Sequence, residues 1–376
     1  MSARRPDLAL FLPSLRGGGA ERVLMDLARA AADKGRAVDV VVVNRQGAVS
    51  DDLGPGVRIV DLDRGRAATS LPALLRYLWR ARPPALLSTL EHTNVLAVIA
   101  TRFVRGTRVV LREANTLAQD LSSEGVKGRS LVQAMRWAYP AADAVVAVSQ
   151  GVADGLVDVL GLAREQVHVI FNPVITPRVL EGTRALPDHR WFAPDEPPVV
   201  LAVGRLVEQK GFDVLLRAFA VARARSDCRL VILGEGPERD DLLASAETLG
   251  VAASVDLPGF VSNPFGYMAH SGVFVLSSRW EGLPNVLVQA LAVGAKVVAT
   301  DCPSGPREVL DGGRWGALVP VDDVQAMADA IVAGLAAAQP RLPESWYARY
   351  RLEEVVDAYL AILEAVGGRS RRGKER

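Results

Sequence analysis

Two cations and one acid carry the strongest chemical signal in this chain. Arg205 and Lys210 lie in VGRLVEQKGFDVLLRAF (203–219), between an apolar run and an amphipathic helical stretch. Cations just past a parallel strand suit a diphosphate, because the C-terminal strand ends of an open sheet line its ligand crevice. The competing reading is two solvated surface cations. Glu281 lies in SSRWEGLPNVLVQALAVG (277–294), ahead of Pro284 in a first helical turn and of Gly294 past the helix end. An acid there can bind sugar hydroxyls while the amides of Asn285, Val286 and Leu287 face a phosphate. It can equally serve only as a favourable charge at the helix start. Gln289 follows two turns later, about 12 Å further at ~1.5 Å per residue, and can look into the same cleft.

Two further segments shape loops. LPSLRGGGAERVLMDLA (12–28) sets Gly17, Gly18 and Gly19 between a strand and a helix. Bare backbone amides there can cradle an anion, or the glycines can form a plain turn. The spacing is not GxGxxG, and Asn44 and Arg45 stand where a dinucleotide site needs an acid. TDCPSGPREVLDGGRWGALVP (300–320) reads as a strand running into a tight Pro/Gly loop, with Cys302 a packed bystander thiol.

The elements that must position these groups are legible. Strands are expected at 8–12, 38–43, 57–62, 85–89, 107–111, 144–149 and 167–170. After a gap they resume at 199–204, 229–233, 255–257, 272–276, 295–300 and 317–319. Most are continuously apolar, as in parallel strands covered by helices on both faces. Helical stretches at 20–34, 71–82, 212–226 and 285–293 fill gaps, so the pattern is two successive βαβ layers. Between Asn172 and Val199 six prolines break any period, which marks a linker.

Composition removes other classes. The chain has 376 residues, 49% apolar and 23% charged, with net charge +1. That is enough for two or three domains of about 150 residues and excludes both disorder and a general nucleic-acid coat. Cys228 and Cys302 are far apart, and His92, His168, His189 and His270 lack ligand spacing. No metal site, disulfide scaffold or cofactor is expected, and a reducing cytoplasm fits. No run approaches the roughly 18 apolar residues of a membrane span. Two stretches could meet an anionic inner-leaflet surface: 71–82, with Leu75, Leu78 and Trp79 beside Arg76 and Arg80, and 127–137. Ordinary core-facing helices are the competing reading for both. The terminal GGRSRRGKER reads as a frayed, solvated basic tail.

Taken in order, these segments resemble glycosyltransferase family 4, the retaining sugar-nucleotide transferases of GT-B fold. GGGAERV (17–23), VGRLVEQKGFDVLLRAF (203–219), GEGP (234–237), LPGFVSNP (257–264), SSRWEGLPNVLVQAL (277–291) and TDCPSGPREVL (300–310) carry the likeness, which spans almost the whole chain. DCPSGPRE is similar to the branch that extends polyprenyl-diphosphate-linked oligosaccharides or exopolysaccharide repeat units, which includes the N-acetylgalactosaminyltransferases of bacterial N-glycan assembly. The resemblance implies an α/β chain of two Rossmann-like domains facing across a cleft. Residues 1–172 would bind the acceptor and 199–345 the nucleotide sugar, with 173–198 as hinge. A helix at 346–366 could pack back on the first domain, leaving 367–376 as the tail.

It also implies roles. Arg205 and Lys210 would hold the diphosphate and stabilise the leaving group, and Glu281 would bind the donor sugar. Gly204, Gly234, Asn285, Val286, Leu287 and Gln289 would complete the donor site, Pro258 and Gly259 would border the base, and Gly18 and Gly19 would approach from the opposite domain. On the acceptor side stand His92, Asn94, Arg112, Glu113 and Asn115. The implied partners are a nucleotide diphosphate sugar and a lipid-linked or glycan acceptor. With no DxD-type cluster in a cleft loop, the charge for the departing diphosphate is expected from Arg205, Lys210 and helix amides. Two departures stand out: Gln289 replaces the family's second glutamate, and Ala114 stands where relatives carry His in REHN. They motivate an alternative, a non-catalytic or weakly active sugar-nucleotide-binding protein of the same fold.

Overall fold

The computed structural model describes residues 5–15, 19–46, 53–116, 125–339 and 341–372. The chain divides into two compact units, Met1–Pro173 with Arg351–Arg376, and Val174–Tyr350.

Unit 1 is a seven-stranded sheet in the order β3-β2-β1-β4-β5-β6-β7. Its strands are β1 (Leu8–Leu12), β2 (Val38–Val42), β3 (Val57–Asp61), β4 (Ala85–Thr89), β5 (Arg108–Glu113), β6 (Ala144–Ala147) and β7 (Val167–Val169). Every pairing is parallel. The covering helices are α1 (Gly19–Asp33), α2 (Leu71–Ala81), α3 (Glu91–Arg102), α4 (Gly125–Ala138) and α5 (Gln150–Leu160). Strand order reverses between β1 and β4, so the loops leaving these two strands diverge and open a crevice.

Unit 2 begins with α6 (Pro177–Gly182), inside the stretch expected to be a structureless linker. Pro177 sits in its first turn, where the missing N–H costs nothing. The strands are β8 (Val199–Val203), β9 (Arg229–Leu233), β10 (Val255–Gly259), β11 (Val273–Leu276), β12 (Val297–Thr300) and β13 (Ala317–Val319), in the parallel order β10-β9-β8-β11-β12-β13. The helices are α7 (Phe212–Arg223), α8 (Arg239–Thr248), α9 (Pro264–His270), α10 (Asn285–Ala292), α11 (Pro306–Val309), α12 (Val324–Ala336) and α13 (Glu344–Ala348). Here the order reverses between β8 and β11.

The chain then returns to unit 1 as α14 (Leu352–Arg372). The single helix expected at 346–366 is therefore two helices. Trp346 of α13 is buried in unit 2 and donates its indole N–H to the Val309 carbonyl at 3.0 Å. The Tyr350 carbonyl accepts the Val174 and Ile175 amides, both at 2.9 Å, which fixes the break. Val355, Val356, Tyr359, Leu360, Leu363 and Val366 line one face of α14 and join the core formed by α1 and the first strands. Each such side chain contributes about 1.5–3 kcal/mol when fully buried, before entropy is counted. Lys34–Asp357 and Arg36–Glu364 ion pairs lie at the exposed rim and add little. The expected basic tail is helical as far as Arg372; residues 373–376 lie outside the described residues.

Candidate functional site

In unit 2 the two signals that sequence kept apart meet. β8 and β11 are neighbours at the reversal point, so the loops leaving them face each other. Lys210 closes a short turn after β8, and Glu281 sits five residues past β11. Lys210 Nζ lies 2.6 Å from Glu281 Oε1, with the two side chains only 16% and 8% exposed. Gly211 permits the approach. It holds φ +60°, and a Cβ there would lie 2.3 Å from the Ser277 carbonyl oxygen.

Residues outside the expected set brace this pair. Ser278, fully buried, donates to the same Glu281 Oε1 at 2.7 Å, and its carbonyl accepts from Thr300 Oγ1 at 2.5 Å. Ser277 donates to the Lys210 carbonyl at 2.7 Å. The Glu281 backbone is clamped on both sides: its N–H donates to the Pro303 carbonyl at 2.8 Å and its carbonyl accepts from the Ser304 N–H at 2.9 Å. Arg279 bonds Asp213, Asp322 and the Glu208 carbonyl, tying the loop to α7. The adjacent serines directly after a strand were the available sequence signal. Burial and the Glu281 charge push the Cys302 thiol up to about 12, so it remains a thiol.

The other expected donor residues lie on or just past β8, β9 and β10 and on α10. Arg205 is exposed, and no hydrogen bond or ion pair holds its side chain among the described residues. Gly204 lies against the Lys210 stem, 3.4 Å from where a Cβ would point, and Gly234 donates to the Gly259 carbonyl at 2.9 Å. Pro258 is exposed and Gly259 buried at the end of β10. Gln289 is half-buried on α10. One expectation needs correction: Leu287 N–H is not open to a phosphate, because it donates to the Pro284 carbonyl at 2.9 Å and tightens the first turn. Val286 N–H has no such partner among the described residues.

Unit 1 separates the acceptor-side candidates. His92 is exposed and Asn115 half-buried, while Asn94, Arg112 and Glu113 have no exposed surface. Arg112 donates to Thr89 Oγ1 at 3.0 Å and Asn172 Oδ1 at 2.6 Å. Asn94 Nδ2 donates to the Arg112 carbonyl at 3.1 Å and to the Tyr139 hydroxyl at 2.9 Å. Tyr139 in turn donates to Glu113 Oε2 at 2.7 Å. All three side chains are buried and hydrogen-bonded to protein groups. Gly18 lies outside the described residues; Gly19 opens α1, and Ser14 donates to Glu21 at 2.6 Å.

Burial, with the Glu91 charge nearby, holds the Glu113 carboxyl well above the ordinary range. Its folded-state pKa is thus raised, so its stabilising contribution is complete below the unfolded value near 4.3 and is lost as pH rises through the folded value. Relative to Glu113→Gln, the wild type should lose up to about 1.4 kcal/mol per pH unit across that window. Hydrogen exchange of the β5 amides at pH 5 and pH 8 reads this locally; parallel pH profiles for the two proteins contradict it.

Comparison with known proteins decides the family. Residues 17–178 match the profile of Glycosyltransferase Family 4, and residues 197–337 that of Glycosyl transferases group 1. A Campylobacter jejuni protein is 31% identical over 334 residues, covering 85% of this chain and 87% of that one. It is the N-acetylgalactosamine-N,N'-diacetylbacillosaminyl-diphospho-undecaprenol 4-alpha-N-acetylgalactosaminyltransferase. The chain belongs to glycosyltransferase family 4.

Other relatives of this glycosyltransferase agree. The lipopolysaccharide core biosynthesis glycosyltransferase LpsE of Rhizobium meliloti is 36% identical over 227 residues, 59% of this chain and 64% of that one. Anabaena HepE, solved with UDP and glucose, shares the fold at TM-score 0.76 and 19% identity, covering 96% and 99% of the two chains. Both Rossmann-like units of the glycosyltransferase are thus accounted for, and with them the GT-B class.

Proposed function

We propose that this glycosyltransferase moves a hexose or N-acetylhexosamine, with retention, from a nucleotide diphosphate sugar to a polyprenyl-diphosphate-linked or polysaccharide acceptor. The observation that carries the reading is the Lys210–Glu281 pair at the strand-order reversal of unit 2, with Arg205 exposed in the same loop as Lys210. Such a site offers both a cation for a leaving diphosphate and a carboxylate for sugar hydroxyls. The acceptor class is supported by the C. jejuni relative, whose own substrate is a diphospho-undecaprenol glycan. HepE supports a nucleoside diphosphate as the leaving group.

In this reading the bond from the sugar's anomeric carbon to the diphosphate oxygen breaks, and a bond to an acceptor hydroxyl oxygen forms on the same face. The acceptor proton passes to the departing phosphate. Arg205 and Lys210 stabilise the negative charge that develops there. Glu281, held by Ser278 and Lys210, orients the donor sugar, and the half-buried Gln289 faces the ribose. A lipid-linked acceptor brings the enzyme to an anionic inner-leaflet surface. Incubation with a panel of nucleotide sugars and lipid-diphosphate acceptors tests the reading directly. Released nucleoside diphosphate together with an extended lipid supports it; donor binding without either product supports a binding protein.

Gln289→Glu checks the ribose contact. A charged acceptor bonds a hydroxyl more strongly than an amide by roughly 1 kcal/mol, so the variant should bind the nucleoside diphosphate about fivefold more tightly. Repulsion from the diphosphate and loss of carboxylate hydration act the other way. Calorimetric titration with UDP compares the two proteins, and equal or weaker binding by the variant removes position 289 from the ribose.

A further inference from the structure

The turn that carries Lys210 is held by one short segment of the facing loop. Glu208, Gln209 and Lys210 form a 3-10 turn after β8. Their three consecutive carbonyls all accept hydrogen bonds from residues 277–279. Arg279 Nη1 donates to the Glu208 carbonyl at 2.8 Å, the Arg279 N–H to the Gln209 carbonyl at 2.8 Å, and Ser277 Oγ to the Lys210 carbonyl at 2.7 Å. The stitching runs both ways, since Gln209 Nε2 donates to the Trp280 carbonyl at 2.9 Å. The sheet does not supply this connection. β8 and β11 are in register at Val200–Val273 and Leu201–Phe274, which leaves two residues of each strand before its loop begins.

Arg279 reaches beyond the turn. Its Nη2 donates to Asp213 Oδ2 at 2.9 Å, in the first turn of α7, and its Nε to Asp322 Oδ1 at 3.0 Å, past β13. Each guanidinium nitrogen is thus committed to a different segment of unit 2, which a single ammonium cannot do. Burial alone would raise the Asp213 carboxyl, but the Arg279 hydrogen bond and charge hold it below the ordinary range. Arg279 is poorly placed to be a third cation for a phosphate. It lines a cavity of about 370 Å³ whose other charged walls are Glu208, Asp213, Glu238 and Asp241, so an anion there meets like charge. Glu281 depends on Arg279 less than Lys210 does. Its backbone is clamped by Pro303 and Ser304 and its carboxylate by Ser278.

We propose that Arg279 is a positioning residue for the leaving-group cation: by bolting the Glu208 carbonyl and α7 to the loop after β11, it sets where the Lys210 ammonium stands. The role rests on the donor-site reading above, in which Lys210 meets the departing diphosphate. Arg279 touches neither donor nor acceptor and acts through Lys210. A shift of about 1 Å in a reacting group can cost a hundredfold in rate, so loss of the guanidinium fork should be visible both in turnover and in diphosphate affinity.

The test is a double-mutant cycle on the full chain. Turnover is measured beside calorimetric affinity for whichever of UDP, GDP, ADP and dTDP the wild type binds best. Circular dichroism fixes a temperature at which every variant is folded. Arg279→Gln should slow turnover about tenfold or more and weaken diphosphate binding about fivefold. In a Lys210→Ala background the same substitution should change either value by less than about twofold, because no ammonium remains to be positioned. Arg279→Lys, which keeps the charge and loses the fork, should behave like Arg279→Gln. Arg217→Gln, which removes an exposed partner of Asp213 at 3.3 Å, should leave both values at the wild-type level. A role confined to the stability of unit 2 imposes the same cost in both backgrounds, and that result overturns the proposal. So does wild-type turnover and affinity in either folded Arg279 variant, or an equal loss in Arg217→Gln. Diphosphate binding that shows the coupling without any transfer counts against the transferase reading alone and leaves the role of Arg279 supported. A wild-type protein that binds none of the four diphosphates removes the donor reading and this role together.

Discussion

Lys210→Ala should lower turnover by about a hundredfold or more while unit 2 remains folded. The argument rests on two properties of the side chain. Its ammonium is fixed 2.6 Å from Glu281 by a short turn and by Ser277, so it need not reorganise as charge develops on a leaving phosphate. A preorganised donor of that kind typically contributes two to three orders of magnitude in rate. The substitution also strands Glu281, which is nearly buried, and an unpaired buried charge is destabilising. The double variant Lys210→Ala/Glu281→Gln separates the two effects. It should recover the melting temperature that Lys210→Ala loses, yet stay as slow. Steady-state release of nucleoside diphosphate, measured beside thermal unfolding, reads both. Unchanged turnover in a folded Lys210→Ala protein sinks the role, as does recovery of turnover along with stability in the double variant.

Gly234→Ala should be the most damaging single methyl group in unit 2. Gly234 follows β9 with φ +141°, a region almost closed to L side chains, and a Cβ there would lie 1.8 Å from the Gly204 carbonyl oxygen. Neither backbone can yield easily. Gly204 N–H donates to the Leu233 carbonyl and Gly234 N–H to the Gly259 carbonyl, both at 2.9 Å, so the ends of three strands are locked together. Backbone strain and overpacking each cost about 1–3 kcal/mol, and here they combine. Gly250→Ala provides the contrast. Gly250 also has positive φ, at +70°, but nothing lies within 4 Å of its added Cβ, so about 1 kcal/mol is expected. Denaturant unfolding of the two variants compares them, and equal losses would mean that the crowding at Gly234 relaxes at little cost.

These positions also show what a linear reading can and cannot reach. The strands were legible because parallel strands buried on both faces leave continuous apolar runs, as in Leu8–Leu12 and Val199–Val203. The structure adds that Lys210 and Glu281 pair; the placement of Arg205, Lys210 and Glu281 in loops leaving strands was legible because each follows a continuous apolar run. Ser278 was not. Its importance comes from one oxygen of Glu281 and from Thr300, 22 positions away across a strand pairing. The partners of Asn94, Arg112 and Glu113 were hidden for the same reason. Tyr139 and Asn172 are among them, 45 and 60 positions distant at the extremes. The break between α13 and α14 depends on the Tyr350 carbonyl receiving amides from Val174 and Ile175, which no local periodicity records.

The return of α14 to unit 1 reverses the order in which the chain can be completed during synthesis. The second unit is one uninterrupted stretch, Val174–Tyr350, and has all its strands once that stretch has left the ribosome. The first unit emerges earlier but lacks the helix that covers Leu8, Leu10, Val38 and their neighbours until α14, which follows unit 2 in the chain, is made. Throughout that interval its sheet has one apolar face without its final cover, a surface of the kind that nascent-chain chaperones bind. Unit 1 therefore starts before unit 2 and is completed after it.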